Sequence, residues 1–334
     1  MSASSVRQPH FVPSPQAPSV PSSTSALAAD SVRDLVLRGL RAQVKSLPPS
    51  LFYDAAGAAL FEQICELPEY YPTRTELAIL TRCAPTLARA AGPHVALIEY
   101  GSGAATKVRL LLDQLETPSA YVPVDVSHEQ LEQVAAVRSA QYPGLRVLPV
   151  CADYTRPLTL PRLPDDARRV AFFPGSTIGN FHPTEASAFL HRVRHTVGPR
   201  GGMILGVDRR KDPDVLHNAY NDAAGVTAAF NRNLLVRMNR ELQATFDVDT
   251  FRHVAFFNDA LSRIEMHLES SVDQTVHVAG EAITFAAGET IHTECSYKYD
   301  EPRLRTLVEE SGFRIEALHT DACDWFWVAW LTPI

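Results

Sequence analysis

Five short apolar runs, HVALIEY, AYVPVDV, LRVLPVCADY, RRVAFFPGS and GGMILGVD, lie between His94 and Asp208 and alternate with helical patterns. This alternation constrains the fold more than any other feature. Short apolar runs read as strands, and strands alternating with helices build βαβ units around a parallel, doubly wound sheet. After Asp208 the rhythm breaks. The stretch DVLHNAYNDAAGVTAAFNRNLLVRMNREL is helical, and SRIEMHLESSVDQTVHVAGEAITFAAGETIHTECSYKY alternates like antiparallel strands with turns at Gly280 and Gly288. EPRLRTLVEESGF then reads as a helix stopping near Gly312, and RIEALHTD and FWVAWLTPI as two closing strands. The pattern predicts an α/β core interrupted by an α+β insertion.

Ahead of the sheet, SVRDLVLRGLRAQ reads as a helix from Ser31 to Gln43, and two more follow, punctuated by Pro68 and Pro72. These helices belong with the insertion or cap the cleft. Residues 1–30 are rich in Ser, Pro and Ala without periodicity, which predicts a disordered tail. The chain has 334 residues, 46% of them hydrophobic, so it can bury a substantial core. A net charge of -7 without any basic run argues against a nucleic-acid partner. Five cysteines without a CxxC pair fit reduced thiols in a cytoplasmic protein. No apolar run approaches the roughly 20 residues of a membrane span, and neither a coiled-coil repeat nor an exposed apolar helix face speaks against a monomer.

At the end of the first strand, in LIEYGSGAATK, Gly101 and Gly103 permit a tight turn and close backbone approach by a ligand, with a helix expected from about Thr106. A dinucleotide fingerprint needs a further glycine where Thr106 stands, so a pyrophosphate fits poorly. Glu99, Asp125 and Asp153 fall at three successive strand ends. Acids there can take ribose hydroxyls and an adenine amino group, which suits a nucleoside carrying a sulfonium and no phosphates: S-adenosylmethionine. The plainer reading is that the glycines only close a βα turn and the acids are solvated or cap helices.

LPEYYPTRTE, IEYGSGAATK, FFPGSTIGNF, NDAAGVTAAFNRNLL and IHTECSYKY together resemble the histidine-specific methyltransferases that make the Nα-trimethyl betaine of histidine, the opening step of ergothioneine synthesis. The resemblance runs from about Leu47 to the C-terminus. It implies a class I methyltransferase, a Rossmann-like doubly wound sheet with an inserted α+β substrate-binding domain. The implied division is 31–74 plus 211–297 for substrate binding and 75–210 plus 298–334 for the methyltransferase core. It further implies that Tyr70, Gly101, Lys107, Asp125, Asp153 and Tyr154 bind the cofactor. The substrate carboxylate falls to Asn180 and Tyr220, and the amine to the neighbourhood of Tyr53, Phe61, Gly175 and Asn180, with Tyr70 at the cleft. Glu294 and Ser296 read the imidazole, above a floor formed by Met266.

Elementary chemistry agrees. An amide at Asn180, beyond the fourth strand, can donate to and accept from a zwitterion. Glu294 and Ser296 alternate on one strand face with Cys295 turned away, so a carboxylate and a hydroxyl can meet the two imidazole nitrogens. Tyr53 and Asn180 are the expected catalytic pair, passing the amine proton to water without a strong base. No metal is expected: His191 and His195 are four apart, but no HExxH or third ligand accompanies them. Three readings stay open: this enzyme or a relative acting on another amino acid such as tryptophan, a nicotinamide-dependent oxidoreductase, and a non-catalytic amino-acid or adenosyl-binding module.

Overall fold

A computed structural model describes residues 29–103 and 106–334. Helix α1 (Ala29–Leu40), a 3-10 turn at Pro49–Phe52 and α2 (Ala55–Glu66) precede the long α3 (Tyr71–Ala91). Then come β1 (Val95–Tyr100), the short α4 (Val108–Leu112), β2 (Ala120–Asp125) and α5 (His128–Gln141). The two-residue strands β3 (Arg146–Val147) and β4 (Val150–Cys151) follow, then β5 (Arg168–Phe173), a 3-10 turn at Thr177–Asn180, α6 (Pro183–Val197) and β6 (Gly202–Asp208). The inserted part holds α7 (Pro213–Tyr220), α8 (Val226–Glu241), β7 (Phe251–Asn258), β8 (Arg263–Ser270), β9 (Gln274–Val278), β10 (Glu281–Phe285) and β11 (Thr290–Tyr297). Helix α9 (Glu301–Glu310) leads into β12 (Phe313–Thr320) and β13 (Phe326–Pro333).

The large sheet runs β12-β13-β6-β5-β1-β2-β3, with β4 also on β2. Pairings from β6 across to β3 and β4 are parallel, while β13 is antiparallel to both β6 and β12. This is the class I methyltransferase sheet expected from the sequence. Every residue of β1 and β6 is buried, as strands sandwiched between helices require. One apolar layer joins the sheet to α6 and α9, and another joins it to α3, α4 and α5. A separate core unites α1, α2, α7 and α8 with β7 to β11. The insertion itself is a three-stranded sheet, β11-β8-β7, beside the hairpin β9-β10.

Four differences from the sequence reading have local causes. The helix beyond the glycine turn starts at Val108, two residues late, and has only five residues. The third apolar run yields two short strands instead of one, because Pro149 between them has no N–H for a ladder. The inserted helical stretch divides into α7 and α8, where Gly225 adopts φ +73 and the Asp222 carboxylate accepts from the amides of Val226 and Thr227 at 2.8 Å. Finally, α1 begins at Ala29, inside the stretch expected to be a disordered tail; the remainder of that tail lies outside the described residues.

Candidate functional site

Tyr53 follows the turn at Pro49–Phe52 and is fixed by its neighbour Asp54, which caps α2 by accepting from Gly57 N at 2.8 Å. The same carboxylate receives Asn233 Nδ2 at 2.8 Å and Arg240 Nη2 at 2.7 Å, so the cap also fastens α2 to α8. Phe61 projects from α2 and Tyr70 stands at the start of α3. Their rings form an edge-to-face chain, Tyr53 to Phe61 at 5.9 Å, Phe61 to Tyr70 at 6.2 Å and Tyr70 to Tyr220 at 6.3 Å. These aromatics line one side of a pocket between the inserted part and the carboxyl end of the large sheet.

Across from them, β5 ends in PGSTIGN. Gly175 and Ser176 both take left-handed backbone angles, φ +77 and +56, which bends the chain into the turn that carries Asn180. Strained backbone of this kind is costly for a serine and persists where surroundings hold it; here Ser176 Oγ accepts from Asp208 N at 2.8 Å. The remaining wall is the inner face of the inserted sheet, with Met266 on β8 and Glu294 and Ser296 on β11. A bulge between His292 and Glu294 sets the phase that turns Glu294 and Ser296 inward. Cys295 faces the other way and donates to Asn180 O at 3.7 Å, tying the two walls together. All nine residues read from the sequence as substrate contacts therefore line one pocket.

Sequence reasoning missed what lies behind Ser296. Lys298 is 1% exposed, lines the same pocket, and gives Nζ hydrogens to Ser296 Oγ at 2.9 Å, Tyr220 Oη at 3.2 Å and Asp208 Oδ2 at 2.7 Å. Tyr220 Oη donates in turn to Ser296 Oγ at 3.0 Å. Asp208 also accepts from Tyr71 Oη at 2.7 Å and from Lys211. Burial alone raises an aspartic acid, yet the Lys298 and Lys211 ammonium groups hold Asp208 below its ordinary value. Burial pushes Lys211 down to about 8. A signal for Lys298 did exist, since Glu294, Ser296 and Lys298 continue one alternation; nothing in the sequence signalled Asp208, because it reads as the end of a buried strand.

Burial lifts Glu294 to about 7, with Lys298 pulling the other way. Its carboxyl therefore titrates near neutrality. Tyr53 lines the pocket and is 48% exposed, while many protein atoms surround its hydroxyl. That burial and the nearby Glu294 carboxylate keep the phenol well above its ordinary value, so the hydroxyl stays protonated.

The residues read as cofactor contacts divide into groups. Gly101, at φ +70, ends β1 under the Tyr154 ring, which a Cβ on Gly101 would approach to 3.6 Å. Asp125 accepts from Gly103 N at 3.3 Å and Ser127 N at 3.1 Å, joining the glycine turn to the start of α5. Asp153 accepts from Thr155 N at 2.8 Å beside Tyr154. These positions form an open rim at the carboxyl ends of β1, β2 and β4, outside the pocket lining. Lys107 bridges rim and pocket: its Nζ pairs with Glu76 at 2.5 Å and lies 3.7 Å from where a Gly175 Cβ would stand. Glu76 also accepts from Gly175 N at 2.8 and 2.9 Å, and reaches it only because Gly206 has no side chain; a Cβ there would meet Glu76 at 2.1 Å. Tyr70 belongs to the pocket. Glu99 departs from the sequence reading: it is 2% exposed, receives the Tyr121 hydroxyl, and burial lifts it to about 8, so it serves the sheet core and not the rim.

The family described as "Histidine-specific methyltransferase, SAM-dependent" matches residues 32–333. The chain belongs to that family. Among relatives of the histidine-specific methyltransferases, the chain is 44% identical over 299 residues to the histidine N-alpha-methyltransferase of Mycolicibacterium smegmatis, covering 88% of this chain and 92% of that one. It is 43% identical to the enzyme of the same name from Mycobacterium tuberculosis, covering 80% and 84%. Ergothioneine biosynthesis protein 1 of Neurospora crassa is 32% identical over 80% of this chain, a span that makes up 31% of the fungal protein.

Proposed function

We propose that the protein transfers methyl groups from S-adenosylmethionine to the α-amino nitrogen of L-histidine, up to the trimethyl betaine, as a step in ergothioneine formation. The observation that carries this reading is the pair Glu294 and Ser296, side by side on one buried strand face and opposite Asn180. A carboxylate that accepts and a hydroxyl held by Lys298 match the two nitrogens of an imidazole. An apolar side chain would leave Glu294 buried and unpaired, the arrangement by which a polar pocket rejects analogues most strongly. Asn180 takes the substrate carboxylate together with Tyr220, whose hydroxyl bonds Ser296 and so links the two ends of the amino acid's site. Met266 floors the imidazole, and Phe61 and Gly175 flank the amine.

The rim of Gly101, Asp125, Asp153 and Tyr154 fits an adenosyl group: a backbone opening that a Cβ would narrow, a carboxylate already orienting two amides, and an aromatic ring above them. Lys107 and Tyr70 complete this set on the pocket side. When bound, S-adenosylmethionine supplies a methyl group already activated by its sulfonium. The chain's own task is to align the amine lone pair and exclude water. α-Amino groups titrate near ~8 in peptides, so a proton must leave before attack. With Tyr53 held in its protonated form, no phenolate serves as base; its hydroxyl and the Asn180 amide hold the amine and pass its proton to water. Three rounds need room for growing bulk, which the aromatic wall gives without demanding an N–H at each stage.

We also propose that residues 31–74 and 211–297 form the substrate-binding part and residues 75–210 and 298–334 the methyltransferase core, a division supported by the separate apolar core around β7 to β11. The test of the imidazole assignment is Glu294→Ala. It is expected to raise KM for histidine at least about tenfold, about 1.4 kcal/mol of lost recognition, while S-adenosylmethionine binding is kept. Histidine kinetics unchanged from the parent enzyme would remove Glu294 from the reading.

A further inference from the structure

The outer face of the inserted sheet, turned away from the pocket, carries a second constellation. Glu265 and His267 lie two apart on β8, and β11 sets His292 directly opposite His267. One donor atom from each lies within 4.8 Å of the others. His267 Nε2 and Glu265 Oε2 are 3.2 Å apart, close to the ~3.3 Å that separates two ligands each about 2 Å from a tetrahedral zinc.

Two further observations point to a ligand there. His292 Nε2 is buried and lacks a hydrogen-bond partner among the described residues, although buried polar atoms are normally satisfied. The surroundings also prepare the donors. Arg263 Nε at 2.8 Å and Asn258 Nδ2 at 2.9 Å occupy Glu265 Oε1 and leave Oε2 turned to His267. Phe256 stacks on the His267 ring at 5.5 Å and 7°, and the two imidazoles stand 5.0 Å apart. Such outer contacts orient metal-binding side chains.

We propose that Glu265, His267 and His292 bind one divalent transition-metal ion of the zinc class. Arg263 argues for that class over calcium or magnesium: it offsets the carboxylate charge on which hard cations depend, and leaves two neutral imidazoles as the main donors. The ion ties β8 to β11 beside the bulge at His292 and Glu294, directly behind Met266 and Glu294. His267 and His292 come from different strands without a ligand spacing, so neither marks a metal site in the sequence.

The test uses the full, untagged chain, stripped with a chelator and titrated calorimetrically with zinc chloride. Free histidine is left out because it chelates the metal. One ion per chain is expected, with His267→Phe and His292→Gln each weakening uptake at least about tenfold while S-adenosylmethionine binding and the unfolding transition persist. No uptake by the parent protein, or equal uptake by both variants, overturns the proposal and leaves adventitious binding at other surface groups. Cobalt(II) loading of the parent protein gives a reading that no variant can confound. Ligand-field bands of a four- or five-coordinate site are expected, and the spectrum of the free aqueous ion would contradict the site.

Discussion

Glu294 titrates near 7 in the folded chain because burial disfavours its charge. A neutral imidazole N–H needs the carboxylate form, so substrate binding improves as pH rises through that value. The prediction is that KM for histidine falls between about pH 6 and 8 and that Glu294→Gln flattens the part of the profile not due to the substrate's own imidazole, which titrates near ~6.5; identical profiles for both proteins would contradict it. Tyr53 makes a different demand. Since its hydroxyl is protonated and its ring packs against Phe61 and Phe230, Tyr53→Phe leaves packing intact and removes one link of the proton path. Its kcat at saturating cofactor and histidine is expected to fall about tenfold or more, and an unchanged kcat across pH would take Tyr53 out of the mechanism. The chain showed Glu294, Ser296 and Asn180 beforehand because each is a polar residue at a place where strand periodicity or a strand end says which way it faces. Asp208, Glu76 and the depth of Lys298 were hidden, since nothing local marks a buried charge whose partners come from distant segments.

Helix α2 carries one wall of the pocket through a single capping carboxylate. Asp54 holds the first turn of α2, Asn233 and Arg240 at once. Asp54→Ala is expected to destabilise the fold by about 1–2 kcal/mol, since a lost N-cap alone costs about 1, and to raise KM for histidine because Tyr53 and Phe61 ride on that helix start. Chemical denaturation and steady-state kinetics check both; a midpoint unmoved within error would show the cap to be dispensable. Elements marked by a short apolar run, such as β1 and β6, or by helical periodicity, such as α6 and α9, were legible in the sequence. Those decided by a few residues of turn chemistry were not, as the late start of α4, the paired β3 and β4, and the break between α7 and α8 show. In each, a backbone constraint at Pro149, at Gly225 or around the glycine turn overrode the apolar pattern.

At the scale of the whole molecule, the break in rhythm after Asp208 marks where the chain leaves the large sheet and builds the inserted part, to return only at α9. The pocket exists because Cys295 and Tyr297 of β11 pack into the core of the large sheet while Glu294 and Ser296 face the other way. Among the described residues no helix is long and apolar enough to cross a membrane. On the proposed reading, this two-part pocket methylates the α-amine of histidine. The most direct test is mass spectrometry of the purified protein incubated with S-adenosylmethionine and all twenty amino acids together. Successive addition of three methyl groups to histidine, with the other nineteen unmodified, is the predicted result; preferential methylation of another amino acid, or no methyl transfer at all, would contradict it.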